Sequence, residues 1–125
     1  MAHTLARILP LALCLLLAAG CVGDSGGSAK VSFDGSGNGS HSDSTKCDDD
    51  ATLVSSGNVD SGQVDVRVTD GDGAEVFSGQ FDGGSNFDTK SLDGASGTWK
   101  ITAVRSSDNV LGQPFSGQYS FKLAC

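Results

Sequence analysis

Downstream of residue 47 the chain alternates apolar and polar residues in short runs. Val64, Val66 and Val68 fall on one side of a two-residue period, and Asp65, Arg67 and Thr69 on the other. This is the pattern of a strand with one buried face. Trp99, Ile101 and Ala103 repeat it against Thr98, Lys100 and Thr102, and Tyr119, Phe121, Leu123 and Cys125 repeat it against Ser120, Lys122 and Ala124. Weaker runs predict further strands over 52–55, 74–81 and 86–92, and no stretch of 47–125 carries a helical period.

Turn residues punctuate these runs. Asp70-Gly71-Asp72-Gly73 contains the Asp-Gly pair twice between two predicted strands, a strong hairpin signal; Asp82-Gly83-Gly84 and Asp93-Gly94 mark further turns. Four segments open alike, at Ser61-Gly62, Ser78-Gly79, Ser96-Gly97 and Ser116-Gly117. A glycine at a strand entry tolerates the dihedrals of a turn or bulge. Pro114 precedes the last run, where it interrupts no ladder. The pattern predicts an all-β fold: a small antiparallel β-sandwich of about six or seven strands over 47–125, with Trp99, Val66, Ile101, Tyr119 and Phe121 in its core. Phe77 and Phe81 share a parity with Glu75 and Gly79 rather than with Val76, so the alternation does not assign them to a face.

The first 46 residues read differently. Residues 8–19 are apolar apart from Pro10, a run of about a dozen that is shorter than the roughly 20 a spanning helix needs. It ends in Leu17-Ala18-Ala19-Gly20-Cys21, which resembles the lipobox of bacterial lipoproteins. The resemblance implies that residues 1–20 are a cleaved signal peptide and that Cys21 becomes the new N-terminus bearing a diacylglyceryl (palmitate-type) anchor. Cys14 follows the bulky Leu13 and fits that role poorly. Val22 is not the aspartate that retains such proteins at the inner membrane in enteric-type bacteria, so the resemblance places the protein at the outer membrane. Residues 22–46 are mostly Gly, Ser, Asp, Asn and Thr, with Val31 and Phe33 the sizeable apolar exceptions. Such a segment is too poor in apolar surface to offset its ordering entropy and reads as a flexible tether. An alternative makes Lys30-Val31-Ser32-Phe33 a short added strand.

Cysteine usage then closes the domain. With Cys14 in the leader and Cys21 lipidated, Cys47 and Cys125 remain, and export leaves them in an oxidising compartment. A Cys47–Cys125 disulfide is predicted.

The formal net charge is −7, and Arg7 is the only charged residue of the leader, so the mature chain is more acidic still. This argues against nucleic acid or anionic lipid headgroups as partners. Every acidic residue but Glu75 is Asp, a bias that suits turns. Two candidate calcium motifs, Asp70-Asp72 and Asp48-Asp49-Asp50, lack the further ligands of a calcium loop. His41, the one histidine after the leader, lies in the predicted tether, where nothing holds it for general-base work. No catalytic residue, metal ligand or cofactor is assigned. Gly97-Thr98-Trp99-Lys100-Ile101 with the later Phe121-Lys122-Leu123 is similar to the closing strands of secreted jelly-roll and sandwich accessory domains, including the pre-peptidase C-terminal type. That likeness implies a sandwich and carries over no functional residue. The sequence thus points to a cell-envelope lipoprotein, membrane-attached through Cys21, whose non-catalytic β-sandwich binds a protein or glycan ligand or serves a structural role. Glycan binding and inhibition of a secreted hydrolase are the alternatives, separated by whether aromatic side chains or an aliphatic patch and open sheet edge face outward.

Overall fold

The computed structural model describes residues 27–125; Cys14 and the lipobox with Cys21 lie outside the described residues. Eight strands follow in order: β1 (Ser28–Ser36), β2 (Gly39–Cys47), β3 (Asp50–Ser61), β4 (Gln63–Thr69), β5 (Glu75–Phe81), β6 (Thr89–Asp93), β7 (Gly97–Ser106) and β8 (Ser116–Ala124). They form two antiparallel four-stranded sheets, ordered β1-β8-β3-β6 and β2-β7-β4-β5. The inner faces carry the predicted alternation: Val64, Val66, Val68, Trp99, Ile101 and Ala103 from one sheet meet Val31, Leu53, Tyr119, Phe121 and Leu123 from the other, all buried. Phe81, which the alternation left unassigned, is also buried; its ring lies 5.1 Å from that of Phe121 in the opposite sheet.

Two strands replace the predicted tether, which is why the count is eight and not six or seven. In β1, Ala29 and Val31 point inward and are buried, while Lys30 and Ser32 are exposed. Its nine residues pair with β8 from Ser28↔Ala124 to Ser36↔Ser116. Strand β2 has almost no apolar side chain, and the ladder to β7, from Gly39↔Arg105 to Cys47↔Gly97, fixes it instead. Its inward side chains add polar ties: the Asp43 carboxylate accepts the Lys30 backbone N–H at 3.0 Å, linking the edge strands of the two sheets. Composition argued for disorder because it counts side-chain burial and misses backbone hydrogen bonds offered by an already formed neighbour.

The disulfide joins Cys47 to Cys125, with Cα atoms 5.3 Å apart. Cys47 ends β2 and does not begin the ordered region, so the bridge ties one sheet to the other. Of the four Ser-Gly openings, three stand at strand entries with positive φ, at Gly62 (74°), Gly97 (133°) and Gly117 (146°). Gly62 turns the chain from β3 into β4 in the other sheet, and a Cβ there would meet the Phe115 Cα at 2.7 Å.

Candidate functional site

The sandwich has two unlike ends. The cysteine end holds the disulfide, the Asp70 turn and the entry of the chain, where the Cys125 N–H donates to the Gly27 carbonyl. The arginine end, at the far tips of β1, β7 and β8, gathers Arg105, His41, Asn38 and the β7–β8 loop.

At the cysteine end the Asp70-Gly71-Asp72-Gly73 segment forms the predicted turn between β4 and β5, with the Gly73 N–H donating to the Asp70 carbonyl. The Asp70 side chain is buried. One carboxylate oxygen accepts the N–H groups of Asp72 and Ala74, each at 3.0 Å, and the other accepts that of Ala95 at 2.9 Å. The Ala95 N–H, aided by those of Ala74, Asp72 and Gly73 and opposed by burial, holds the carboxyl below the usual aspartate range. The neighbouring Ala95 carbonyl accepts the Trp99 indole N–H at 2.8 Å and the Gly71 N–H at 2.9 Å. Asp70 thus spends its lone pairs on backbone, clamping the β4–β5 turn to the β6–β7 loop. Among the described residues no three histidine, cysteine or acidic side chains are grouped to hold a metal ion.

At the other end Arg105 continues the inward face of Trp99, Ile101 and Ala103. Its Nε donates to the Gly37 carbonyl at 3.1 Å, and one terminal nitrogen donates to the Tyr119 hydroxyl at 3.1 Å and lies 3.2 Å from His41 Nδ1. The guanidinium carbon sits 3.7 Å from the centre of the Phe33 ring, a cation–π contact. His41 stacks on Tyr119 at 5.9 Å and is therefore held, contrary to the expectation that nothing fixes it. Because arginine can only donate, His41 Nδ1 is the acceptor and Nε2 carries the proton; Nε2 is buried and has no hydrogen-bond partner. Burial and, secondarily, the Arg105 charge lower the His41 pKa. The ring's one basic lone pair already faces Arg105, so this fixed geometry suits a packing element more than a general base. Burial raises the Tyr119 pKa against the opposing effect of Arg105, keeping the phenol neutral.

The β7–β8 loop closes this end. Asn38 holds both its arms: its amide nitrogen donates to Ser107 Oγ at 2.8 Å, and its amide oxygen accepts the Phe115 N–H at 3.1 Å. The Ser61 hydroxyl donates to the Pro114 carbonyl at 2.8 Å, and Phe115 is fully buried beneath. Inside the loop one Asp108 carboxylate oxygen accepts the N–H groups of Val110 and Leu111 at 2.7 and 2.8 Å, while the Asp108 carbonyl accepts that of Gly112 at 2.7 Å. This framework holds Val110 90% exposed and Leu111 70% exposed, against 42% and 41% for Val54 and Val104, the other exposed large apolar side chains among the described residues. Beside the loop a polar cleft of about 390 Å³ is lined by Asp34, Asn58, Asp60 and Gln118 among others.

Sequence reasoning placed the disulfide and missed Arg105, Asn38 and the loop tip. The signals were present: Arg105 falls on the next inward position after Ala103, and Val110-Leu111 is an adjacent apolar pair within a run of turn-forming residues. No family model matches this chain, and no curated protein matches it.

Proposed function

We propose that the chain is a cell-envelope lipoprotein, attached to the membrane through an acylated Cys21, whose β-sandwich is a non-catalytic module that binds a protein. The attachment rests on the lipobox resemblance. The observation that carries the binding role is the β7–β8 loop: two aliphatic side chains are held in solvent by hydrogen bonds on both sides of them. Holding them there sacrifices hydrophobic burial, and the ordered backbone lowers the entropy lost when a partner covers them. A glycan ligand is less well supported, since all of the chain's aromatic residues lie within 27–125 and each is buried or half-buried, leaving none outward to stack on a sugar ring.

The chain's path bears on the arrangement. Since β1 begins at Ser28, only residues 22–27 separate Cys21 from the sandwich, a reach of at most roughly 20 Å when fully extended. The cysteine end therefore faces the bilayer and the arginine end faces away. All five lysines of the described residues, Lys30, Lys46, Lys90, Lys100 and Lys122, lie in the half nearer the cysteine end, the half that meets the headgroups. The test is metabolic labelling of the full chain with an alkyne-tagged palmitate in an envelope-bearing bacterial host. Labelling and membrane fractionation of the wild type, both lost in Cys21→Ser, are the expected result. A cleaved, unlabelled wild-type chain recovered in the soluble fraction would overturn the anchor.

A further inference from the structure

We infer that the arginine end docks an envelope protein through an apolar pocket rimmed by lysine or arginine, with Val110 and Leu111 as the inserted pair. This rests on the binding-module reading above and names the surface and the class of partner. Three observations carry it. The first is the exposure of Val110 and Leu111, well above that of any other large apolar residue on the described surface. The second is their fixed presentation by Asp108 and Asn38, so the pair arrives as a rigid anchor of the kind that dominates interface energetics.

The third is charge. Asp34 and Asp60 line the cleft beside the loop, and Asp108 lies within it. The one cation at this end, Arg105, is turned inward onto Phe33, Gly37 and Tyr119. The lysines stand at the opposite end of the strands, so the tip presents an apolar pair in an unrelieved acidic setting. A complementary surface is apolar at its centre and basic at its rim. A second copy of this chain would bring acid against acid, and an anionic bilayer would repel the same carboxylates. A protein partner satisfies both features.

The experiment uses the full, lipid-anchored chain in its native envelope, with a photo-crosslinking amino acid at position 111 or, separately, at position 42 on the exposed edge of β2. The expected result is a protein adduct from position 111. Peptide mapping should place the adduct beside Lys or Arg in the partner, and the yield should fall at least several-fold in Asp34→Lys/Asp60→Lys and in high salt, with the melting midpoint of that variant within a few degrees of wild type. A dimer-sized adduct of the chain with itself, or a lipid adduct, would overturn the inference in favour of self-association or membrane contact. A protein adduct insensitive to the charge reversal would overturn the basic rim. Crosslinking from position 42 and not from 111 would reject this surface and leave the binding-module reading standing; no adduct from either position would overturn both.

Discussion

The two ends of the sandwich solve the same problem of closing a β-sandwich, and they spend their polar groups differently. At the cysteine end a disulfide, a buried carboxylate and an indole N–H all bind the protein to itself, and among the described residues of that half Val54, 42% exposed, is the large apolar side chain left partly in solvent. At the arginine end Arg105 and Asn38 are likewise committed to internal contacts, yet the loop that Asn38 ties down holds two aliphatic residues outward. Polar order at one end serves only to hold the fold; at the other it also presents a surface.

The comparison sharpens into a ranking of stability effects. The largest is expected at the bridge. Replacing Cys47 and Cys125 together by serine opens a loop whose ends are 78 residues apart, for which chain entropy gives about 4–5 kcal/mol. Thermal melting with and without reductant reads this directly, and unchanged melting would remove the bridge from the account. Trp99→Ala at the same end should cost about 3–5 kcal/mol, since it empties a fully buried site and removes one of the two hydrogen bonds to the Ala95 carbonyl. Arg105→Ala should cost less, about 2–3 kcal/mol, from the lost charged hydrogen bonds and the Phe33 contact; denaturant titration distinguishes the two classes. Val110→Ser with Leu111→Ser should lie within about 0.5 kcal/mol of wild type, because neither side chain is buried. A large loss there would make the pair a packing element.

Acid should separate the ends. His41 has a lowered pKa in the fold, so the unfolded chain takes up the proton first. Its contribution is intact above the unfolded histidine value of about 6.5 and is lost as pH falls below it. The groups facing the ring are Arg105 from β7 and Tyr119 from β8, with Asp43 two residues along β2, and protonation sets a second cation beside the guanidinium. Asp70 also has a lowered pKa. The stability it gives is present above the unfolded aspartate value of about 3.9 and goes as pH falls through the lower folded value. The arginine end should therefore begin to loosen as pH falls below about 6.5, while the cysteine end holds until pH falls below about 3.9. NMR followed through a pH titration, with His41→Gln as the control that flattens the first step, would show this order; simultaneous loosening of both ends would refute it.

Much of the core was legible in the sequence because the period-two runs of β4, β7 and β8 place large apolar side chains on one face. The disulfide was legible from the export that the lipobox resemblance implies and by elimination among the four cysteines. Strand β1 was legible only through the alternative strand over Lys30–Phe33, and β2 was not legible, because Ser28–Cys47 offers little to bury and its order comes from ladders to β8 and β7, which no local composition encodes. His41 was misjudged with them: its setting depends on Arg105, far along the chain, arriving across the β2–β7 register. The Val110-Leu111 tip was hidden for a related reason, since the Asn38 bonds that hold both arms of its loop reach across the chain from the β1–β2 turn.

The central claim is that the apolar tip is exposed and ordered at once, and amide hydrogen exchange at Val110 and Leu111 tests it most directly. The account predicts that both amides, bonded to Asp108, exchange at least tenfold more slowly than in an unstructured peptide of the same sequence, and that Asp108→Ala returns them to the peptide rate. Exchange at the peptide rate in the wild-type protein would contradict it.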